Sequence, residues 1–333
     1  MKNKTFTRAM RSVLCAAAVA ALLPGTAASQ SVWRPDKLVE LIVPTSTGGN
    51  NDRMVRLVQK ILQDRKLVTM PVLVLNKAGG NQHLAVVYLD QHAADPHYVM
   101  MTNPTIFTNE LNGISKQSYT HLTPLALMIV ESNAFTVGAD SPLKNMRDVM
   151  ARLKADPNSL SFCMPARGGV THIALAAAVK AAGLDPKRLK IVVFKTSGES
   201  ITAIAGGHVD VMVSSLASVM GVAQSGKARV LGIAAKERRG GGGASIPTLR
   251  EQGINTDAVA SWRGLSGAPG LTPQQVAFWD EALERVFDSE DWKAYREKNN
   301  LPPQHLRSRD FAQYLQGEYE TTKVMMAEIG LAK

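Results

Sequence analysis

Cysteine is almost absent from this chain: there are 2, and Cys15 falls in an N-terminal stretch that reads as removable, so Cys163 has no partner for an internal disulfide. The fold must stand on its apolar core alone. Aromatic residues are scarce as well, at 5%, and the densest basic run, Lys236, Arg238 and Arg239, has no aromatics interleaved with it. That excludes a nucleic-acid surface of the usual basic and aromatic kind. Enzyme signatures are missing: there is no Gly-x-Ser-x-Gly elbow, no complete Gly-x-x-x-x-Gly-Lys-Ser/Thr phosphate loop and no His-Glu-x-x-His pair. His92 and His97 lie in a Pro-containing loop with no third ligand nearby, so neither a metal site nor a cofactor is expected.

What is present begins with Lys2, Lys4, Arg8 and Arg11, free of acids, followed by the alanine-rich apolar run Val13 to Leu23. This is the pattern of a secretory signal peptide, with small residues at Thr26, Ala27, Ala28 and Ser29 for cleavage. The apolar run is well short of the roughly 20 residues that a membrane-spanning helix needs. No small residue directly precedes Cys15, which argues against a lipoprotein site. A chain free in the periplasm is expected. Loss of the four cations takes the formal charge from +10 to 10 − 4 = +6, a mild bias toward anionic small molecules. With 45% hydrophobic residues and this length, two domains can be supported.

Short β-rich runs alternate with helical patterns, the signature of an α/β fold on largely parallel sheets. Strands are expected at Val39 to Val43, Val72 to Leu75, Val99 to Thr102, Leu125 to Val130, Ala134 to Val137, Leu160 to Met164, Lys190 to Phe194, Val209 to Ser214 and Val230 to Ala235. Met54, Val55, Val58, Ile61 and Leu62 share a helical face, as do Val276, Trp279, Leu283, Val286 and Phe287. A last helix is expected from about Phe311 to Ile329. Asp140-Ser-Pro142 and the Gly240 to Gly243 run punctuate the chain and bracket a self-contained α/β block. The chain would leave its first lobe near residues 130 to 138 and return near 229 to 236, a double crossing that makes a hinge over a cleft.

The densest chemistry sits at Val39-Glu-Leu-Ile-Val-Pro-Thr-Ser-Thr-Gly-Gly-Asn-Asn-Asp52, where an apolar strand runs through Gly48 and Gly49 into an amphipathic helix. Amides at a helix start carry partial positive charge, and glycines let an anion approach the backbone. Thr45, Ser46 and Thr47 add hydroxyl donors beside Asn50. The bland reading of the glycines is a flexible turn. Asp52 is read first as a first-turn acid complementing the helix dipole by roughly 0.3 to 1 kcal/mol; turned into the cleft it would instead favour an amino-acid ligand. Asn103 and Thr105 follow a strand end, where ligand-facing loops of open α/β sheets lie. Trp262 either walls the cleft or packs beneath it. Cys163 reads as a buried small residue.

Taken in order, Lys37 to Pro44 with Gly48, Gly49 and Asp52, Asn76-Lys-Ala-Gly-Gly-Asn81, His172-Ile-Ala, Phe194-Lys195, Gly206-Gly-His-Val-Asp-Val-Met212, Ala228 to Ala235, Ile246-Pro-Thr-Leu249 and Ser261-Trp262 with Gly264 resemble the Bordetella uptake gene family. These are periplasmic solute-binding proteins, the extracytoplasmic receptors of tripartite tricarboxylate transporters. The resemblance covers nearly the whole mature length. It implies a type II, Venus-flytrap protein of two α/β lobes with a ligand cleft between them, divided as 1–28 signal, 29–135 first lobe, 136–232 second lobe and 233–333 return to the first. It implies a monomer that binds a small organic acid, hands it to membrane permease subunits and performs no catalysis.

The resemblance also implies a second jaw at Met164-Pro-Ala-Arg-Gly-Gly-Val-Thr-His172. There Met164, Arg167, Gly168, Gly169, Thr171 and His172 join the first loop as ligand-contacting positions, with Thr196 and Ser215 from the runs that follow. Pro165, Ala166 and Arg167 stand where the family has small polar residues, Thr196 where a glycine is common and Ser214 where an acid is frequent. These departures bear on ligand identity. Arg167 is either a solvated cation or a bidentate clamp on a carboxylate, and the side chain of His172 reads as a backbone-satisfied histidine. Two further readings compete: an exported enzyme using His172, Cys163 or Asp52, and a sensor subunit presenting its closed form to another membrane partner.

Overall fold

The computed structural model describes residues 33–165, 167–194, 197–238, 243–256 and 261–332. The expected signal segment, Ala166, Lys195, Thr196 and most of the Gly240 to Gly243 run lie outside the described residues.

Two sheets organise the chain. The first contains β1 (Val39–Val43), β2 (Val72–Asn76), β3 (Tyr98–Thr102) and β4 (Thr123–Glu131), and is completed late by β10 (Ser261–Gly267) and β11 (Leu306–Arg307), in the order β11-β4-β10-β3-β1-β2. The second contains β5 (Asn133–Gly138), β6 (Ser161–Met164), β7 (Lys190–Val193), β8 (Val211–Ser215) and β9 (Ala228–Ala234), in the order β7-β6-β8-β5-β9. The two repeat one plan. In the first, β1 lies parallel between β2 and β3; in the second, β6 lies parallel between β7 and β8. Each sheet then continues with an antiparallel strand, β10 beside β3 and β5 beside β8.

The expectation of largely parallel sheets is therefore corrected to mixed ones. Two of the three reversed strands are entered from the other lobe: β5 is separated from β4 by Ser132 alone, and β10 is reached after β9; the third, β11, follows α9. A strand entering at a crossing does not arrive through the right-handed helical connection that enforces parallel pairing.

Both central strands are covered on two faces, as parallel strands must be. Leu41 and Val43 of β1 face one core with Met54, Val55, Val58, Ile61 and Leu62 of helix α1 (Asn50–Asp64), while Ile42 faces another with Phe107, Trp262 and Phe311. Phe162 and Met164 of β6 pack on one side of the second sheet and Cys163 on the other. Between these strands run α2 (His83–Asp90), α3 (Thr105–Leu111), α4 (Met146–Ala155), α5 (Val170–Ala181), α6 (Ser197–Ala205) and α7 (Leu216–Gln224), followed by α8 (Pro273–Phe287), α9 (Glu290–Lys298) and α10 (Ser308–Glu328).

The core packed on the second sheet draws on residues past 232. Leu249 and Ile254 lie in the same core as Phe162, and Ile233 bridges Thr248 in parallel, so the segment after β9 runs alongside that strand before the chain returns at β10. A further tie joins the lobes at the far end of the chain. Met326 and Ile329, at the end of α10, pack on Ile173 and Ala176 of α5, and Lys180 Nζ donates to the Glu328 carbonyl at 2.7 Å. Among the described residues no helix is long and apolar enough to cross a membrane.

Candidate functional site

The first loop leaves β1 at Pro44 and enters α1 through two glycines in contrasting conformations. Gly48 is left-handed, with φ +84°, and Gly49 is extended at the helix start, with φ −76° and ψ 174°. No side chain caps the helix. The loop is held instead by Asp52, which is only 2% exposed. Its Oδ2 accepts from the Gly48 amide at 2.9 Å and from Arg56 Nε at 2.9 Å, and its Oδ1 accepts from Asn76 Nδ2 at 3.0 Å. Asn76 Nδ2 also donates to the Thr45 carbonyl at 2.9 Å, so both ends of the loop are pinned from beneath. Burial alone would raise the Asp52 pKa, but Arg56, the Gly48 amide and Asn76 together hold it below the usual carboxylate range. Both oxygens are thus committed to structure, and Ser46, Thr47 and Gly48 are the exposed part of the loop.

The second loop leaves β6 and enters α5 in the same way. Gly168 is left-handed, with φ +73°, and Gly169 is extended, with φ −81° and ψ 173°, again with no side-chain cap. Here the glycine amide is accepted by His172 Nδ1 at 2.9 Å, which places the ring proton on Nε2. Burial, reinforced by the nearby Arg167 cation, lowers the His172 pKa to about 4. Gly168, Gly169, Thr171 and Met164 are buried, whereas Arg167 is exposed and spends Nη2 on the Ile191 carbonyl of its own lobe at 3.0 Å.

Each loop meets an element of the other sheet's half of the chain, the first loop at a third helix start and the second at the end of α3. Asn50 Nδ2, at the head of α1, donates to Ser218 Oγ at 2.6 Å, and Ser218 Oγ lies 2.7 Å from Ser215 Oγ at the head of α7, which also lacks a side-chain cap. By contrast α4, α8 and α9 are capped by Asn145, Thr272 and Ser289. The second loop also lies against the end of α3: a Cβ added to Gly168 would sit 2.7 Å from Asn112 Nδ2. Beneath the cross-lobe contact, buried Arg263 forms an ion pair with Glu131 and donates Nε to Asn51 Oδ1 at 2.7 Å.

Asn103 lines a small cavity with Pro44, Gln82, Thr102 and Asn109, at the C-terminal ends of β1 and β3. Asn103 Oδ1 accepts from the Thr105 amide at 2.9 Å, and the Thr105 hydroxyl accepts from Gln82 Nε2 at 3.1 Å. Thr196 lies outside the described residues. Trp262 is fully buried against Phe107 and Phe311, which settles it as packing beneath the first lobe's sheet.

Ser218, Asn76, Gln82 and Asn109 were not singled out from the sequence. Ser218 stands three residues after Ser215, the helical spacing that puts both on one face. The turn after Asn76 carries four successive positive φ values, 137° at Gly79, 55° at Gly80, 51° at Asn81 and 74° at Gln82. It is steadied by Asn81 Nδ2 donating to Asn109 Oδ1 at 2.7 Å and Asn109 Nδ2 donating to the Asn81 carbonyl at 2.8 Å. The Asn-Lys-Ala-Gly-Gly-Asn81 run was the available signal.

Cys163 is fully buried, and burial pushes its thiol up to about 11. No cluster of metal-ligating side chains occurs among the described residues.

Comparison with known proteins follows the same lines. A protein of Cupriavidus necator named for the gbd 5' region is 25% identical over 331 residues, covering 98% of this chain and 97% of its own length. Among solved structures, a protein of Rhodopseudomonas palustris with adipate superposes with a TM-score of 0.81 at 20% identity, over 90% of this chain and 99% of that one. MatC of the same organism, with bound malate, superposes with a TM-score of 0.76 at 21% identity, over 87% of this chain and 99% of that one. These likenesses fix the fold as that of the two-lobed periplasmic solute-binding proteins. The family model of the tripartite tricarboxylate transporter family receptor matches residues 54–331, and the chain belongs to that family.

Proposed function

We propose that this receptor captures a small organic acid in the periplasm by closing its two lobes over the carboxylate, and passes it to the membrane permease subunits of a tripartite transporter. The observation that carries the reading is the shared geometry of the two Gly-Gly loops, each opening an uncapped helix start after a strand. An uncapped helix start offers several amides and a positive dipole end to one anion. The malate and adipate held by the two structural neighbours support a carboxylate as the ligand class.

The polar groups around Asn50, Ser215, Asn103 and the Ser46 to Gly48 backbone are the contacts assigned to the ligand. A micromolar receptor needs about −8 kcal/mol, and a few charge-assisted hydrogen bonds of about 1.5 to 3 kcal/mol each are enough within a desolvated cleft. The basic, alanine-rich N-terminus supports export. Binding and closure are the whole mechanism, without turnover and in a monomer. Isothermal titration against C4 to C6 dicarboxylates, amino acids and aromatic acids tests it: at least one dicarboxylate should bind with micromolar affinity, and absence of heat and of thermal shift across the panel would overturn it.

A further inference from the structure

The two loops share a backbone and differ in charge. In each, a left-handed glycine is followed by an extended glycine that opens the helix, and the residue four after the first glycine accepts that glycine's amide at 2.9 Å. In the first loop the acceptor is a carboxylate, Asp52; in the second it is an imidazole, His172. Both are buried, at 2% and 7% exposure, so the charge on each must be answered locally.

The surroundings decide which acceptor each position tolerates. Asp52 is answered from two sides, by Arg56 one turn along its own helix and by Asn76 on β2, the strand partner of Val43. The matching places around His172 are apolar. One turn along its helix stands Ala176, 1% exposed and packed with Ile173, Met326 and Ile329. On β7 the partner of Met164, the last residue of its strand, is Val193. An anion at position 172 would have neither a cation one turn on nor an amide from the neighbouring strand; the nearby cation, Arg167, is exposed and spends Nη2 on the Ile191 carbonyl, so it answers a charge there only through solvent-screened attraction. An imidazole with its proton on Nε2 offers the same acceptor with no charge.

We infer that His172 is the positioning residue of the second loop, and that its neutrality is what lets this lobe fix Gly168 without placing a negative charge beside the bound anion. The first half, loop positioning, is independent of ligand identity. The second half deepens the proposed carboxylate reading and rests on it. Asn is the informative replacement, because its Oδ1 is bonded to Cγ as Nδ1 is in histidine and so reaches the same amide without charge.

Three variants, His172→Asn, His172→Asp and His172→Ala, test it in ligand-free protein by amide hydrogen exchange at Gly168 and by thermal melting from pH 7 to pH 5. The Asn variant should keep Gly168 exchange within about threefold of the parent, and the Ala variant should exchange at least about tenfold faster. The Asp variant should gain stability as pH falls and its buried carboxyl is neutralised, while the Asn variant should not. Parent-like exchange in the Ala variant would overturn the positioning role. Matching pH behaviour of the Asp and Asn variants would overturn the charge argument. Should the Asp variant fail to fold, the Asn and Ala pair still decides the first half, and folding of that variant at pH 5 alone would support the second. Titration of the Asn and Asp variants with succinate then separates this inference from the functional reading. Affinity at least about tenfold weaker in Asp than in Asn supports it and equal affinity opposes it, whereas a parent protein that binds no member of the acid panel overturns the functional reading and leaves the exchange result standing.

Discussion

The two glycine loops solve one backbone problem by different means, and the difference shows how far a fold's geometry can be separated from its charge. The loop ahead of α1 is held by a buried carboxylate with two dedicated partners, and it has open space around Gly48. The loop ahead of α5 is held by an uncharged ring in apolar surroundings, and it presses on Asn112 of the other lobe. Each loop needs an acceptor for one amide; neither needs that acceptor to be an anion.

The comparison breaks first in acid. The His172 pKa is lowered from 6.5 to about 4, so between those values the unfolded chain binds a proton that the folded protein refuses. Stability from this group is present above pH 6.5 and lost as pH falls toward 4, by up to about 3 kcal/mol. Urea titrations across that range should show less loss of stability with falling pH in His172→Asn than in the parent, a difference from which His305 and Glu318, present in both, cancel. Asp52, held below its usual 3.8, acts in the same sense but lower, its contribution disappearing only as pH falls through its folded pKa. The second loop should therefore loosen before the first.

Next in size is Asp52→Ala, which leaves the Gly48 amide without its acceptor and Asn76 with the Thr45 carbonyl alone. It should cost about 2 kcal/mol in chemical denaturation, while Asp52→Asn, which keeps one acceptor oxygen, should cost less. The glycines give a finer contrast. Gly48→Ala faces only the penalty of a left-handed alanine, roughly 1 to 2 kcal/mol. Gly168→Ala faces the same penalty plus the contact with Asn112, so it should be the worse of the two in melting temperature and should also weaken dicarboxylate binding, because the clash lies between the lobes. The smallest effect is expected from Asn50→Ala. Loss of its hydrogen bond to Ser218 removes about 0.5 to 1.5 kcal/mol from the closed arrangement, read as a threefold to tenfold weaker affinity at nearly unchanged melting temperature.

Much of the first loop was legible in the sequence because three local signals coincide there: an apolar strand, a Gly-Gly pair and a helical apolar face. The strands β1 to β9 were legible for a similar reason, each carrying a compact apolar run. Strand β10 was not, since Ser261-Trp-Arg-Gly-Leu-Ser-Gly267 is mostly small and polar. Its place in the sheet depends on missing side chains: a Cβ at Gly264 would fall 2.2 Å from Phe311 Cζ, a contact made 47 positions along the chain. Strand direction was illegible because it is set by where the chain crosses between lobes. Ser218 and Asn76 escaped because each acts on a partner distant in sequence, 168 residues for Asn50 and 31 for Thr45. Arg167, read evenly between solvent and clamp, donates to a carbonyl of the neighbouring strand, a contact no local pattern encodes.

The end of α10 has a mechanical consequence. Two strand crossings alone would let the second lobe swing as a door swings on a pair of hinges, about one axis and through any angle. The packing of Met326 and Ile329 on Ile173 and Ala176 adds a third attachment away from that axis. The lobe closure proposed above would have to shear this contact or roll α5 over it. Because α5 follows Gly168 and Gly169 directly, any such roll would be delivered to the second loop.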